Sequence, residues 1–263
     1  MSLPVRAFCP HLHATPLTLP ESEYHHLIHV LRVRPHHRAV LFNIQGQYLL
    51  AEITAVKKKH LSLTPLTPIR QYTLPPPRIS AALALPKQDA WHDQLALSVP
   101  LGVHHIQPLL TARSEMHLSE KNLPNKIQKW HRILIESAKQ SASFHIPTLS
   151  PPQPFHTFLS SSTASTKIIA SLEPHSKPLR DVLPTTTDSI SLLIGPEGDF
   201  TPEEYTEAYR HGYQPVSLGH SVLRCPLALS VLLSQIRFLF PLPNPIDLCP
   251  TPSHSKAHSS AQP

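Results

Sequence analysis

The chain has 263 residues, with 23 Lys and Arg against 17 Asp and Glu, a formal charge of +6, 20 His and three Cys; that length suggests two compact units, and the cationic excess favours a polyanion such as nucleic acid. The histidines read as a compositional bias that adds latent charge near phosphate. Cys9, Cys225 and Cys249 lack disulfide or zinc spacing, residues 1–10 hold no signal-peptide core, and the apolar run 226–240 is broken by Ser230, Ser234, Gln235 and Arg237, which excludes a secreted disulfide scaffold and a membrane span and points to a reducing, cytoplasmic setting.

Leu27, Val30 and Leu31 fall at helical spacing between Glu21 and Val33, and alternating runs follow at 39–42, 47–56 and 60–66. One short helix with several strands predicts a small β-barrel over residues 1–72. Pro75, Pro76 and Pro77 donate no ladder hydrogen bonds, so residues 73–78 are expected to be an extended linker between domains. Beyond them the rhythm changes to strand at 78–85, helix at 88–99 and strand at 105–110, which implies a mostly parallel sheet in an α/β domain over 79–240. Ile127, Trp130, Leu134, Ser137 and Ser141 predict an amphipathic helix over 122–143, with Lys126, Lys129 and Arg132 on a face that is either solvated or turned to RNA.

The apolar runs 167–172 and 189–194 read as buried strands, each followed by a proline-containing loop of the kind where ligands gather. Thr201-Pro202-Glu203-Glu204 reads as a capping box opening a helix that stops near Gly212. Residues 216–218 are expected to form another strand, and Pro226 can open a final helix carrying Leu227, Leu229, Val231, Leu232, Leu233 and Ile236. Residues 241–263, rich in Pro, Ser and His, are expected to be disordered.

The chemistry concentrates in Leu192-Leu193-Ile194-Gly195-Pro196-Glu197-Gly198-Asp199-Phe200, followed by Val216-Ser217-Leu218-Gly219 and Val222-Leu223-Arg224. Glycines after a buried strand let a ligand approach the backbone, whose N–H and C=O groups can read an adenine edge and a ribose. A nucleoside cofactor fits, whereas a phosphate loop does not, since no Gly-x-Gly-x-x-Gly or Walker-type Lys follows.

In order and spacing these segments resemble the RsmE family, the 16S rRNA uracil-N3 methyltransferases of the SPOUT (trefoil-knot) superfamily. Further matches are Arg6, His26-Leu27, Val30-Leu31-Arg32, Leu101-Gly102-Val103, Pro108-Leu109-Leu110-Thr111, Arg113-Ser114, Trp130, Glu136-Ser137-Ala138, Gln140-Ser141 and Pro147. The resemblance implies an N-terminal PUA-like β-barrel for RNA and a C-terminal trefoil-knotted α/β domain. It also implies S-adenosylmethionine (SAM) held by the knot loops, a homodimer, 16S ribosomal RNA or the small subunit as partner, and no metal. Leu172, Gly195, Pro196, Glu197, Gly198, Leu218, Gly219, Val222 and Leu223 become the expected cofactor contacts, and Arg6, Arg32 and Arg34 the expected RNA contacts. Several polar family positions are replaced: Cys225-Pro226-Leu227-Ala228 stands for Thr-Glu-Thr-Ala, Pro100 and Lys139 stand where the family has Glu, an Arg is missing near Ser143, and His36-His37 replaces a Gly-Asp turn.

Methylation of uracil N3 requires loss of its proton and alignment of the nitrogen behind the methyl group, on a base that is unpaired or flipped out. Arg224 is the catalytic candidate, because a guanidinium holds a uracil edge or a phosphate bidentately; a structural ion pair is its other reading. Glu197 is assigned to fixing its own loop through backbone N–H groups, and Cys225 is expected to be a bystander whose thiol pKa Arg224 lowers. The pairs His11/His13, His25/His26 and His104/His105 are expected at the surface, and Lys57-Lys58-Lys59 with Arg32, Arg34 and Arg38 form either a phosphate-tracking face or a solvated turn. Two further readings stay open: methylation of a different RNA atom, and a catalytically decayed protein that binds RNA or a ribosomal particle as a scaffold.

Overall fold

A computed structural model of the chain describes residues 4–14, 16–57, 60–116 and 118–244; Lys58, Lys59 and nearly all of the expected disordered tail lie outside the described residues. The chain divides into two compact units, the first running to Tyr72 and the second over Thr73–Leu242.

The first unit contains β1 (Val5–Phe8), α1 (Glu21–His25), β2 (Arg38–Phe42), β3 (Gln47–Lys57), β4 (His60–Pro65) and β5 (Arg70–Gln71). β1 lies parallel to β2, the β2–β3–β4 run is antiparallel and β5 pairs with β3, giving five strands. Alternation turns Leu49, Ala51, Ile53, Leu61 and Leu63 into one core with Ala7, Cys9 and Leu27. The expected helix over 21–33 is cut short. α1 widens into a π turn over His26–Val30, and Val33 N–H closes on Leu27 C=O at 3.0 Å around Arg32 at φ 51°. Leu27 is buried but Val30 and Leu31 are 60% and 44% exposed, so no continuous apolar face exists to extend the helix.

The second unit contains β6 (Arg78–Ala84), α2 (Gln88–Ser98), β7 (His105–Leu110), α3 (Leu123–Gln140), β8 (Thr148–Leu149), β9 (Gln153–Pro154), α4 (Phe155–Ser161) and β10 (Thr166–Ala170). β11 (Lys177–Pro178), β12 (Ser189–Ile194), α5 (Pro202–Arg210), β13 (Gln214–Ser217) and α6 (Cys225–Leu239) complete it. All its strands pair in parallel, in the order β11-β13-β10-β12-β6-β7-β8 with β9 beside β7. A parallel sheet is covered on both faces, which is why its strands are apolar without alternation: Leu192, Leu193, Ala81, Ala82 and Leu83 are fully buried. Trp91 of α2 meets Trp130 of α3 edge to face at 5.2 Å. β12 inserts between β10 and β6, so the loops leaving β10, β12 and β13 emerge side by side.

Two expectations change here. Residues 76–77 bend, with the Pro76–Pro77 peptide cis, where an extended spacer was expected; Arg78 N–H then bonds Asp188 C=O at 2.8 Å as β6 begins. His104 and His105 are half-buried rather than at the surface, because β7 starts directly beside β6. Ile79 N–H donates to His104 Nδ1 at 3.0 Å, and the His105 ring bonds Ser80 Oγ at 2.9 Å and Ser150 Oγ at 2.8 Å. No helix among the described residues is long and apolar enough to cross a membrane, and they contain no group of three or more His, Cys, Asp or Glu able to hold a metal ion.

Candidate active site

At the carboxyl ends of β10, β12 and β13 lies a cleft of about 270 Å³. Its walls come from the three adjacent loops and the first turn of α6: Leu172 from the first loop, Gly195, Pro196 and Glu197 from the second, and Leu218, Gly219, Val222, Leu223 and Arg224 from the third. Of the expected cofactor contacts, Gly198 alone does not line it. Gly198 instead packs under Arg113, whose Nη1 donates to Gly198 C=O at 2.7 Å; a Cβ at Gly198 would stand 3.3 Å from Arg113 Cδ.

The second loop turns through Asp199 N–H bonding Pro196 C=O at 2.9 Å, with Asp199 itself at φ 61°. Asp199 Oδ1 accepts the Phe200 N–H at 2.8 Å and the Tyr205 hydroxyl at 2.8 Å, holding its carboxylate beneath Gly195. Gly195 is required by closeness: a Cβ there would lie 3.1 Å from Asp199 Oδ1 and 3.3 Å from the Phe200 ring. The expected capping box follows. Glu204 N–H donates to Thr201 Oγ1 at 3.2 Å and Thr201 N–H to Glu204 Oε2 at 2.9 Å, while Glu204 Oε1 also accepts the Ala112 N–H at 2.8 Å.

Glu197 is exposed and its Oε1 accepts the Lys87 N–H at 3.1 Å, so it ties the β12 loop to the loop after β6 rather than fixing its own loop. Arg224 stands at the N-cap position of α6 in an extended conformation, its C=O accepting the Ala228 N–H at 2.8 Å; its side chain is exposed on the cleft and forms no hydrogen bond or ion pair with a described residue, so no described carboxylate supports the structural ion pair. Cys225 contradicts the lowered thiol pKa expected beside Arg224: burial, with the Glu197 and Asp199 carboxylates nearby, pushes it up to about 11. A thiol held neutral there is a poor nucleophile. Leu172 and Val222 are 60% and 78% exposed, apolar side chains left in water at a cleft lined largely by apolar atoms.

The departures from the family pattern divide by position. Pro226 is the second residue of α6, and its neighbours Cys225 and Ala228 border the cleft. Lys139 pairs with Glu136 at 2.6 Å within α3, Pro100 sits in the turn after α2, and Ser143 accepts the His145 N–H at 3.1 Å in the turn after α3; none of these lines the cleft. In the first unit the Arg6 guanidinium stacks 5.1 Å from the Phe42 ring centroid and is half-buried, while Arg32 and Arg34 are exposed. His11, His13 and His25 are exposed, and His26 is half-buried.

Asp199, Glu173, Tyr205 and Tyr209 hold the cleft loops without a motif that marks them as site residues. Gly198-Asp199 carried a signal, since it is a turn dipeptide whose Asp bonds the next N–H.

Residues 74–237 match the model of an RNA methyltransferase domain, and residues 19–66 that of an RNA methyltransferase PUA domain. A relative from Synechocystis sp. named ribosomal RNA small subunit methyltransferase E is 30% identical over 227 residues, covering 85% of this chain and 73% of its own. The protein of that name from Bacillus subtilis is 25% identical, with coverage of 86% and 91%. The crystal structure of a Neisseria gonorrhoeae ribosomal RNA small subunit methyltransferase E bound to S-adenosyl methionine superposes with a TM-score of 0.81 at 26% identity, covering 90% of this chain and 98% of the other.

Proposed function

Because the chain belongs to the ribosomal RNA small subunit methyltransferase E family, we propose that it transfers a methyl group from SAM to N3 of a uridine in 16S ribosomal RNA. It is an rRNA methyltransferase with a PUA-type first unit and an α/β second unit. The observation that carries the finer reading is the cleft formed by the β10, β12 and β13 loops, with Arg224 unpartnered on its wall among the described residues.

The cleft suits an adenosyl group. Backbone N–H and C=O groups of the 194–199 and 218–224 loops offer neutral hydrogen bonds for an adenine edge and ribose hydroxyls, and the exposed Leu172 and Val222 offer apolar surface for a flat ring. When bound, SAM supplies an electrophilic methyl group. Arg224 holds the uridine or its 5′ phosphate so that N3 faces that methyl group, and its fixed charge stabilises the anionic base left as the N3 proton passes to water in the open cleft. Burial of Cys225 keeps a competing nucleophile protonated beside the site.

In this reading residues 1–72 hold RNA, with Arg32 and Arg34 on phosphates and Arg6 serving mainly to pack Phe42, while residues 79–240 hold the cofactor. The three loops supply the trefoil crossing, two copies form a homodimer, and the enzyme works in the cytoplasm on ribosomal RNA or the small subunit without a metal. The test is digestion of methylated small-subunit RNA to nucleosides and mass spectrometry: 3-methyluridine is expected. A ribose 2′-O-methyl or another methylated base would replace the uridine N3 assignment with one of those atoms.

A further inference from the structure

We infer that α5 is a clasp that sets the cofactor cleft, with Tyr209 and Glu173 as positioning residues for the loop that carries Leu172. The inference rests on the reading of the cleft as the SAM site.

Tyr205 and Tyr209 stand one turn apart on α5, their ring centroids 5.9 Å from each other. Each hydroxyl reaches a carboxylate on a different cleft loop. Tyr205 donates to Asp199 Oδ1 and Oδ2 at 2.8 and 3.0 Å, in the loop after β12. Tyr209 donates to Glu173 Oε2, in the loop after β10. A hydroxyl-to-carboxylate bond is of the strong kind. Burial and the neighbouring carboxylate raise the pKa of each phenol, so both remain donors throughout the working pH range.

Glu173 follows directly on Ser171 and Leu172, both of which line the cleft. Glu173 N–H bonds Ser171 Oγ at 3.1 Å, and Ser171 N–H bonds Val216 C=O at 3.0 Å at the end of β13. His175 closes the other side, with Nε2 3.5 Å from Glu173 Oε2 and its ring edge-on to Tyr209 at 5.6 Å. Leu172 is itself 60% exposed, so its own packing holds it only weakly on the cleft wall and the carboxylate of the next residue supplies the anchor. One helix, anchored by the capping box and by Glu204 on the Ala112 N–H, thereby fixes two loops that both meet the ligand.

The experiment measures SAM affinity by calorimetry and steady-state methylation for the full chain and for Tyr209→Phe, Glu173→Ala, Glu173→Gln and the double variant Tyr209→Phe/Glu173→Ala. Tyr209→Phe keeps the ring and its packing, and thermal melts report whether each variant folds. Expected are a roughly 10-fold weaker SAM affinity for Tyr209→Phe and for Glu173→Ala, the double variant no worse than the poorer single, and recovery by Glu173→Gln. At saturating SAM kcat should stay within about 2-fold of the parent, since a positioning contact acts on binding. Unchanged affinity in a folded Tyr209→Phe, or additive losses in the double variant, overturns the clasp. Absence of SAM binding by the parent chain is a different outcome and overturns the cofactor reading on which the clasp rests.

Discussion

The two ends of the parallel sheet are built to opposite rules. At the carboxyl ends, the cleft keeps Arg224 without a partner among the described residues and leaves Leu172 and Val222 in water. At the amino ends of β6, β7 and β12 a recess of about 310 Å³ is lined by Arg78, Ser80, His104, His105, Ser189 and Ser191. There the serines and His105 are bonded to protein groups: His105 bridges Ser80 and Ser150, Ser191 Oγ meets the Tyr213 hydroxyl at 2.7 Å, and Ser165 Oγ donates to Ser189 C=O at 2.9 Å, while the Arg78 side chain is exposed without a hydrogen bond to a described residue. Groups already satisfied by protein gain little from a ligand, whereas an open cation and exposed apolar side chains gain from being covered. The exposed apolar side chains at the carboxyl ends are what distinguish the cleft from the recess, and the contrast can be broken from either side.

The largest effect is expected at the cleft wall. Arg224→Ala should fold normally and lose about 100-fold or more in single-turnover rate, as removal of a transition-state contact does; an unchanged rate would remove Arg224 from the mechanism. Next comes Gly195→Ala. Its Cβ would press on Asp199 Oδ1 and Phe200, and neither can move freely, because Asp199 is held by Tyr205 and Phe200 is buried. A loss of about 1–3 kcal/mol in stability is expected, with weaker SAM binding, read by urea unfolding and calorimetry.

At the other end of the sheet the expected signature is pH-dependent stability. His104 accepts the Ile79 N–H on Nδ1, and its Nε2 is buried. Burial first, then His145, Arg237 and Arg78, lower its pKa from the ordinary 6.5 to about 4. The unfolded chain therefore takes up this proton before the folded one. The contribution of neutral His104 is complete above about pH 6.5 and is lost as pH falls towards about 4, by at most a few kcal/mol. Urea midpoints should drop between about pH 7.5 and about pH 5, and His104→Gln should flatten that slope.

Smaller still is Thr201→Ala, expected to cost about 1 kcal/mol through loss of the cap. Neutralising Arg32 and Arg34 together should lower the salt slope of RNA binding by about 1–2, with SAM affinity unchanged. A salt slope that does not move would leave those side chains as solvated charges.

Much of the second unit was legible because parallel strands announce themselves as apolar runs: 105–110 and 189–194 were read with the bounds they adopt. The capping box and the glycine-bearing loops were legible for the same local reason, a few adjacent residues carrying the whole signal. What escaped depends on distant partners. β1 is four residues whose parallel pairing with β2 lies over thirty residues away, and α4 is one short turn pair packing Phe155, Phe158 and Leu159 inward. The site contacts follow suit: Glu197 meets Lys87 across 110 positions and Tyr209 meets Glu173 across 36. No spacing rule links such residues, so the sequence shows the loops of the cleft and hides what holds them.

The most direct measurement is SAM binding by calorimetry on the purified chain, followed in the same preparation by labelled-methyl transfer to 16S RNA and to small subunits lacking the modification. Binding with transfer to uridine N3 is the expected result. Binding without transfer to either RNA substrate, or no binding, would contradict the account and leave an RNA-binding scaffold in its place.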